Sequence, residues 1–223
     1  MKDADDAVEQ VRRIAEGRAG KVRLGTSTGV VVHLLPRVFE ALEATHPGID
    51  VDLAIYGSGE AMNRLAAGTL DVGIVALPQA ARGEVQVTAW RSDPMMAFLP
   101  PRWDAPDVVT PDWLAQHALI SNDATTLMYR LTAEWFGQAG LTPRARIELN
   151  YTEAMKSLVA AGYGAAVLPL EPPNDNPIHE KLQLRPLDPP LTRHLGIAHR
   201  APQLLDAAAR EVVRVLSEFA EKD

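Results

Sequence analysis

The chain has 223 residues, of which 47% are hydrophobic, and it carries a formal net charge of -7 with no cysteine. A chain of this length can bury about 70% of its unfolded surface in one or two cores, which is typical of a globular protein. The absence of cysteine excludes disulfides, thiolate metal sites and thiol redox switches. The acidic balance excludes a general attraction for nucleic-acid phosphates.

Targeting and membrane signals are not visible in the sequence. An apolar run of about 18 residues, which a membrane-spanning helix needs, does not occur, and neither does a charged-then-apolar secretory leader. We therefore expect a cytoplasmic protein.

The first segment with a regular pattern is residues 3–17. Ala4, Val8, Val11 and Ala15 alternate at four- and three-residue spacing, which fits the seam of a two-stranded coiled coil. About two heptads cannot form a stable coiled coil alone, so we expect this helix to continue from, or pack on, another element.

The segment from Leu34 to Pro78 is predicted to fold as helix, strand, helix and strand. Apolar residues recur at helical spacing over 31–42, and Pro47 then ends that helix. Residues 49–55 alternate as a strand, and the next short helix ends at Gly68 in a left-handed cap before an apolar strand at 70–75. This alternation predicts a parallel α/β sheet.

The rest of the chain continues the same alternation. Residues 84–101 predict one or two strands, and Thr110 is predicted to cap a helix that begins with Pro111. Residues 171–177 are rich in proline and asparagine and predict a loop. The other predicted elements are strands at 119–120, 147–149 and 193–199 and helices at 127–140, 150–162 and 205–219.

A hydroxyl-rich turn at residues 25–29 joins the first predicted strand, residues 22–24, to the first long helix. It matches G-x-S-x-G, the nucleophile elbow of α/β-hydrolases, which would make Ser27 a nucleophile. Only 26 residues precede Ser27, so the strands and oxyanion loop that such an elbow needs are lacking. The alternative is that Thr26, Ser27 and Thr28 form a cradle for an anion at a helix N-terminus, or simply cap the helix.

Two further turns have the same character. Gly57 and Ser58 follow a strand and precede a helix, and because parallel strands bind ligands beyond their carboxyl ends, this turn should lie beside the first. Ser121, Asn122 and Thr125 lie in the corresponding turn of the second half. Helix capping is the alternative for both turns.

Tyr151 lies at the start of another predicted helix, where its ring can contact a ligand or pack locally with its hydroxyl bonded nearby.

The pattern from Leu34 to Pro78 resembles the effector-binding domain of LysR-type transcriptional regulators. The features that carry the resemblance are LLP, a helix ending in HPG, the alternating strand, and a helix ending in AAGTLDVGI. Residues 158–169, LVAAGYGAAVLP, resemble the helix-to-strand turn of the family's second half. The resemblance covers residues 20–219. The winged helix-turn-helix that precedes this region in the family is absent from the sequence.

The resemblance implies a fold and a domain organisation. The fold class is α/β, with two Rossmann-like subdomains of the type 2 periplasmic-binding-protein kind joined by two crossover strands. Residues 1–19 would be the end of the linker helix. Residues 20–92 and 196–223 would form subdomain I, and residues 93–195 would form subdomain II.

The resemblance also implies a function. A small effector, for which we expect a carboxylate or another oxyanion, would bind in the cleft between the subdomains and change the conformation of a homodimer or homotetramer. DNA would be bound only through the missing N-terminal domain, and RNA polymerase would be a further partner. The residues that would contact the effector are Thr26, Ser27, Thr28, Gly57, Ser58, Ser121, Asn122, Thr125 and Tyr151.

Neither a catalytic role nor a cofactor is expected. The six histidines form no H-E-x-x-H pair, and the nucleotide-phosphate loops G-x-G-x-x-G and G-x-x-x-x-G-K-[ST] are missing. Two alternatives stay open at this point: a solute-binding protein of a transporter, which has a similar architecture, and a serine esterase that uses Ser27.

Overall fold

A computed structural model of the chain describes residues 12, 19–171 and 181–220. The coiled-coil segment predicted at 3–17 lies outside the described residues except for Arg12, and so does the loop predicted at 171–177 except for Glu171. Within the described ranges, no helix has the length and apolar character that a bilayer crossing requires.

Nine strands and seven α-helices follow one another in the described part of the chain. In order they are β1 (Ala19–Thr26), α1 (Thr28–His33), α2 (Leu35–Thr45), β2 (Gly48–Ile55), α3 (Ser58–Ala66), β3 (Val72–Leu77), β4 (Val85–Leu99), α4 (Pro111–Leu114), β5 (Leu119–Ser121), α5 (Leu127–Gln138), β6 (Ala145–Glu148), α6 (Thr152–Ala160), β7 (Ala166–Pro169), β8 (Gln183–Pro186), β9 (Thr192–Arg200) and α7 (Ala207–Glu218). A 3-10 turn, Pro202–Leu204, precedes α7.

The chain folds into two compact units. Unit I runs up to Arg91 and resumes at His194, and unit II is Ser92–Arg193. Both limits fall inside long strands, β4 and β9, so the chain passes between the units in extended conformation. The strands predicted at 84–101 and 193–199 are confirmed, the first as a single strand of 15 residues.

Unit I is built on a sheet with the strand order β2-β1-β3-β9. β4 is the next strand of this sheet and lies beside β9. β1 is parallel to β2 and β3, as the alternation of strands and helices predicts, whereas β9 is antiparallel to β3. α3 covers this sheet with Met62 and Leu65, which are fully buried. α7 closes the unit, where its Leu216 carbonyl accepts a 2.7 Å hydrogen bond from Nε1 of Trp90.

The first long helix of the sequence prediction is divided into α1 and α2 at Leu34. The apolar spacing over residues 31–42 predicts one helix, and this prediction is wrong in its continuity. Pro36 is the physical reason, because it has no N–H to donate to the Val32 carbonyl and its ring crowds that carbonyl. Pro36 therefore lies in the first turn of a new helix, where the missing donor costs nothing.

Unit II has a parallel pair, β5 and β6, and an antiparallel group in which β4 pairs with β7 and β8. Trp135 of α5 is buried at 1% exposure and donates from Nε1 to the Pro189 carbonyl at 2.7 Å. The predicted cap of α4 is confirmed, since Thr110 Oγ1 accepts a hydrogen bond from the backbone N–H of Trp113. The predicted left-handed cap at Gly68 in unit I is confirmed as well, with φ of 70°.

Candidate functional site

The carboxyl ends of β1 and β2 lie side by side in unit I. The two strands pair in parallel, with Thr26 opposite Ile55, and the N–H of Tyr56 donates to the Thr26 carbonyl at 2.9 Å. The turns that begin at Ser27 and Gly57 are therefore neighbours, which confirms the predicted adjacency. A contact of these turns with an effector stays a prediction.

Ser27 is exposed at the N-terminus of α1. It occupies the N-cap position with φ -80° and ψ 157°, an unstrained extended conformation, and its side chain makes no capping hydrogen bond. The capping role that was the alternative reading of this residue is not realised. Its hydroxyl is thus available to solvent or to a ligand.

Thr26 has a different role from the one that the sequence suggests. Its side chain is 0% exposed, and its Oγ1 donates to the Ile74 carbonyl at 3.1 Å, which ties β1 to β3. Because this hydroxyl is buried and already bonded, it is not part of an open cradle. In this turn only Ser27 and the half-buried Thr28 have exposed surface.

The second turn of unit I combines a bonded hydroxyl with an open backbone. Ser58 Oγ accepts the N–H of Ala76 at 3.0 Å, so it joins the start of α3 to β3 and keeps its hydroxyl hydrogen for donation. Gly57 precedes α3, and a Cβ added to it would meet no atom within 4 Å. A ligand can therefore approach this backbone closely.

In unit II the ends of β5 and β6 bring two loops together. Ser121 pairs with Glu148, and its carbonyl accepts the N–H of Leu149 at 3.0 Å. The side-chain oxygen of Asn150 accepts the N–H of Asp123 at 2.9 Å. The loop of residues 121–126 and the start of α6 are thus one connected cluster at the strand ends.

Asp123 is a member of this cluster that the sequence analysis missed. Its Oδ1 accepts hydrogen bonds from the Thr125 hydroxyl at 2.6 Å and the Thr125 N–H at 2.8 Å, and these bonds hold the pKa of the Asp123 carboxyl below its usual value. The Thr125 hydroxyl is therefore engaged, and the loop carries a negative charge. An Asp-x-Thr pattern before a helix is the signal that could have indicated this turn.

Among the residues that the structure describes, Asn122 and Tyr151 present polar groups with few or no hydrogen-bond partners. Asn122 is 9% exposed, and the contact of its amide nitrogen with the Met155 sulfur is long, at 3.9 Å. Tyr151 is 56% exposed at the N-cap position of α6 and makes no capping hydrogen bond. Tyr151 is thus an exposed side chain, and its contact with an effector stays a prediction.

A buried cation in unit II was also not predicted. Lys156 of α6 is 1% exposed, and its Nζ lies 2.8 Å from Glu153 Oε1 and 3.1 Å from Glu171 Oε2. Two carboxylates compensate the ammonium, as a buried charge requires. The group joins α6 to the chain just after β7.

Comparison with known proteins identifies the family. The sequence pattern of the family described as the LysR substrate binding domain matches residues 15–221 of this chain. Among the relatives, the HTH-type transcriptional regulator CbbR of Cereibacter sphaeroides is 29% identical over 212 residues, which are 91% of this chain and 66% of that protein. Other relatives are covered to a smaller extent, 57% and 52% of their lengths, so this chain spans half to two thirds of the proteins it matches.

Solved structures share the fold. The effector binding domain of QuiR in complex with shikimate has a TM-score of 0.80 at 13% identity, with coverage of 91% of this chain and 97% of that one. The regulatory domain of CcmR from Synechocystis PCC6803 in complex with 2-PG has a TM-score of 0.79 at 20% identity, with coverage of 91% and 98%. The α/β fold of LysR effector-binding domains is therefore confirmed for this chain.

The match extends over almost the whole chain, and the fold and the relatives agree with it. The chain belongs to the LysR substrate binding domain family.

Proposed function

We propose that this chain is the effector-sensing part of a LysR-type transcriptional regulator and that its effector binds at the strand-end loops. The observation that carries the proposal is the exposed Ser27 hydroxyl, which makes no capping bond and lies beside the open backbone of Gly57. The relatives support it, since QuiR and CcmR were solved with the small molecules shikimate and 2-PG.

The chemistry of the unit I loops favours an anionic group. The first N–H groups of α1 and α3 have no partner within their helices, and both helices start at these loops. Helix N-termini attract negative charge, and the hydroxyls of Ser27 and Ser58 add donors. A carboxylate or another oxyanion is therefore the group that we assign to unit I.

The chemistry of the unit II loops favours neutral groups. Asp123 is ionised at neutral pH, as an exposed carboxyl is at its ordinary pKa, and the Thr125 hydrogen bonds lower that pKa further. Its negative charge would repel an anion at this loop. Asn122 and Tyr151 offer an amide and an exposed ring, which suit hydroxyl groups and apolar carbon atoms. Ser121 belongs to the same cluster. We therefore assign the uncharged part of the effector to unit II.

Effector binding can regulate only through differential affinity. A ligand shifts the equilibrium between two conformations by the difference in its binding free energy for them, which in allosteric proteins is typically about 1–3 kcal/mol. We propose that this shift acts within a homodimer or homotetramer in the cytoplasm. It would change DNA binding by a separate domain and contact with RNA polymerase.

A catalytic role has no support at Ser27. An activated serine needs a base within hydrogen-bond distance, and the Ser27 side chain has no such bond in the described part of the chain. We therefore propose that the chain binds its effector without chemical conversion.

A thermal-shift screen tests the proposal. Small carboxylates, hydroxy acids and inorganic oxyanions would be added to the chain, and the melting temperature would be recorded. A ligand at one hundred times its Kd stabilises the folded state by roughly 2.7 kcal/mol, which corresponds to a rise of about 5–10 °C for a chain of this size.

Matched variants locate the site. Ser27→Ala should reduce the shift to half or less, because loss of one hydrogen bond to a charged group costs about 1.5–3 kcal/mol. The melting temperature of the free protein should not change, because the Ser27 side chain makes no capping bond. Ser217→Ala, an exposed change on α7, is the control and should keep the full shift. A selective shift that is undiminished in Ser27→Ala would overturn the assignment of the site. An effector that binds but leaves DNA affinity of the full-length regulator unchanged would overturn the regulatory role.

A further inference from the structure

Unit II contains a pocket that extends well beyond the strand-end loop. It has a volume of about 420 Å³ and lies between α5 and the β5–β6 pair. One face of α5 forms a wall, because its lining residues recur at intervals of three and four along the helix: Tyr129, Thr132 and Phe136, and likewise Tyr129, Ala133 and Gly137. The segment of residues 141–145 forms another wall. The volume lies within the range of small-molecule sites, roughly 300–1,000 Å³.

Two polar groups of this pocket have unused hydrogen-bonding capacity. Asn122 lines the pocket and is 9% exposed. Its amide nitrogen makes one weak contact, at 3.9 Å from the Met155 sulfur. The phenolic hydroxyl of Tyr129, another lining residue, makes no hydrogen bond to the described residues. Both groups can therefore bond to a ligand without first breaking a strong internal hydrogen bond.

We infer that this pocket is a binding site for a small uncharged molecule with an apolar ring or branched body and one hydroxyl or carboxamide group. The amide of Asn122 offers both a donor and an acceptor, which matches a neutral group that also has both. Phe136, Leu119 and Val167 provide the apolar surface for the body. The site goes beyond the proposed effector site, although Asn122 belongs to both.

The charges around the pocket agree with an uncharged ligand. Arg144 and Glu148 line it, are of opposite sign, and are both exposed, so water screens them. Neither charge is buried where it would require an ionic partner. An anion of the kind assigned to unit I is therefore not the expected occupant.

Gly137 allows the pocket to be filled without disturbing the core. A Cβ at this position would meet no atom within 4 Å, and leucine is a better helix former than glycine. Gly137→Leu should therefore fold and obstruct the pocket. Glu134→Leu, an exposed change on α5 that does not line the pocket, is its control.

The test is an NMR titration of the chain with phenol and toluene, which have the same size and differ in the hydroxyl group. We expect both to shift the amide signals of α5, with phenol binding about 3- to 10-fold more tightly because of one neutral hydrogen bond. Asn122→Ala combined with Tyr129→Phe should remove that preference and keep toluene binding. Gly137→Leu should abolish binding of both, and Glu134→Leu should not.

Three results would overturn the inference. The first is the absence of signal shifts with either probe, and the second is a wild-type response in Gly137→Leu. The third is a change of oligomeric state in Gly137→Leu without phenol binding to the wild type, which would assign this surface to contacts between copies of the chain. Ser27 is intact in all of these variants, and Gly137→Leu and Glu134→Leu also leave Asn122 in place. These two variants therefore test the pocket separately from the proposed effector site, whereas Asn122→Ala changes a residue of both.

Discussion

Removal of one partner of the buried ion pair between Asp93 and Arg193 should strongly destabilise unit II. The two side chains are 1% and 7% exposed, and Nη2 and Nε of Arg193 lie 2.6 and 3.1 Å from Oδ2 of Asp93. These residues lie on β4 and β9, next to the points where the chain passes between the units. Arg193→Met removes the charge and retains an apolar side chain.

The expected cost follows from the burial of the pair. Removal of one partner of a buried ion pair leaves a poorly compensated charge and costs about 3–5 kcal/mol. With a urea m-value of roughly 2–3 kcal/mol/M, the midpoint should fall by about 1–2.5 M. Urea unfolding followed by circular dichroism measures this change, and tryptophan fluorescence checks that the transitions coincide.

A double-mutant cycle with Asp93→Leu tests the reasoning. Because two apolar side chains in place of a buried pair are often neutral or stabilising, the double variant should be more stable than either single variant. The coupling free energy should be at least about 2 kcal/mol. If the two single losses simply add, the pair does not contribute through its mutual interaction and the argument fails.

Three further predictions concern caps and charges. Asp206→Ala should lower the free energy of unfolding by about 1 kcal/mol, because Asp206 Oδ1 accepts a hydrogen bond from the Ala209 N–H. Ser27→Ala, also at an N-cap, should change it by almost nothing, because Ser27 makes no capping bond. Thermal unfolding of the two variants measures the difference. Gly68→Ala should lower the free energy of unfolding by more than about 1 kcal/mol, because φ is 70° at this position and the new Cβ would lie 3.1 Å from Arg200. Equal urea midpoints for the variant and the wild type would refute this. Burial raises the pKa of Asp71, but the hydrogen bonds from Arg23 outweigh it and leave the pKa below its usual value. The stability that Asp71 contributes is thus complete above its unfolded pKa of about 3.9 and is lost as pH falls through the lower folded pKa, so the wild type should lose its advantage over Asp71→Asn in acid unfolding.

Much of the fold could be predicted because it depends on local periodicity. The strand at 49–55 and its parallel partner follow from period-two alternation, and Thr110 and Gly68 mark helix ends by their own chemistry. Even the inward orientation of Thr26 had a signal. Val22 and Leu24 precede it at two-residue spacing, and all three are 0% exposed.

The roles of other side chains could not be predicted because they depend on residues distant in sequence. Lys156 falls on the buried stripe of α6 with Met155 and Val159, yet a lysine is normally assigned to the surface. Its burial is possible because Glu171, on another segment, lies within 3.1 Å. That contact depends on how α6 packs on β7, which no local pattern contains.

The polar groups at the strand ends divide into two classes, and this division limits what can select an effector. Thr26 and Thr125 donate their hydroxyl hydrogens to other groups of the protein, so a ligand could use them as donors only by breaking a bond with a net value of about 0.5–1.5 kcal/mol each. Ser27 and Tyr151 make no capping bonds, and Asn122 has one weak contact. Ser58 also keeps its hydroxyl hydrogen for donation. Selectivity should therefore depend on these four residues, because a ligand group that does not match them forms no hydrogen bond there and gains no binding free energy.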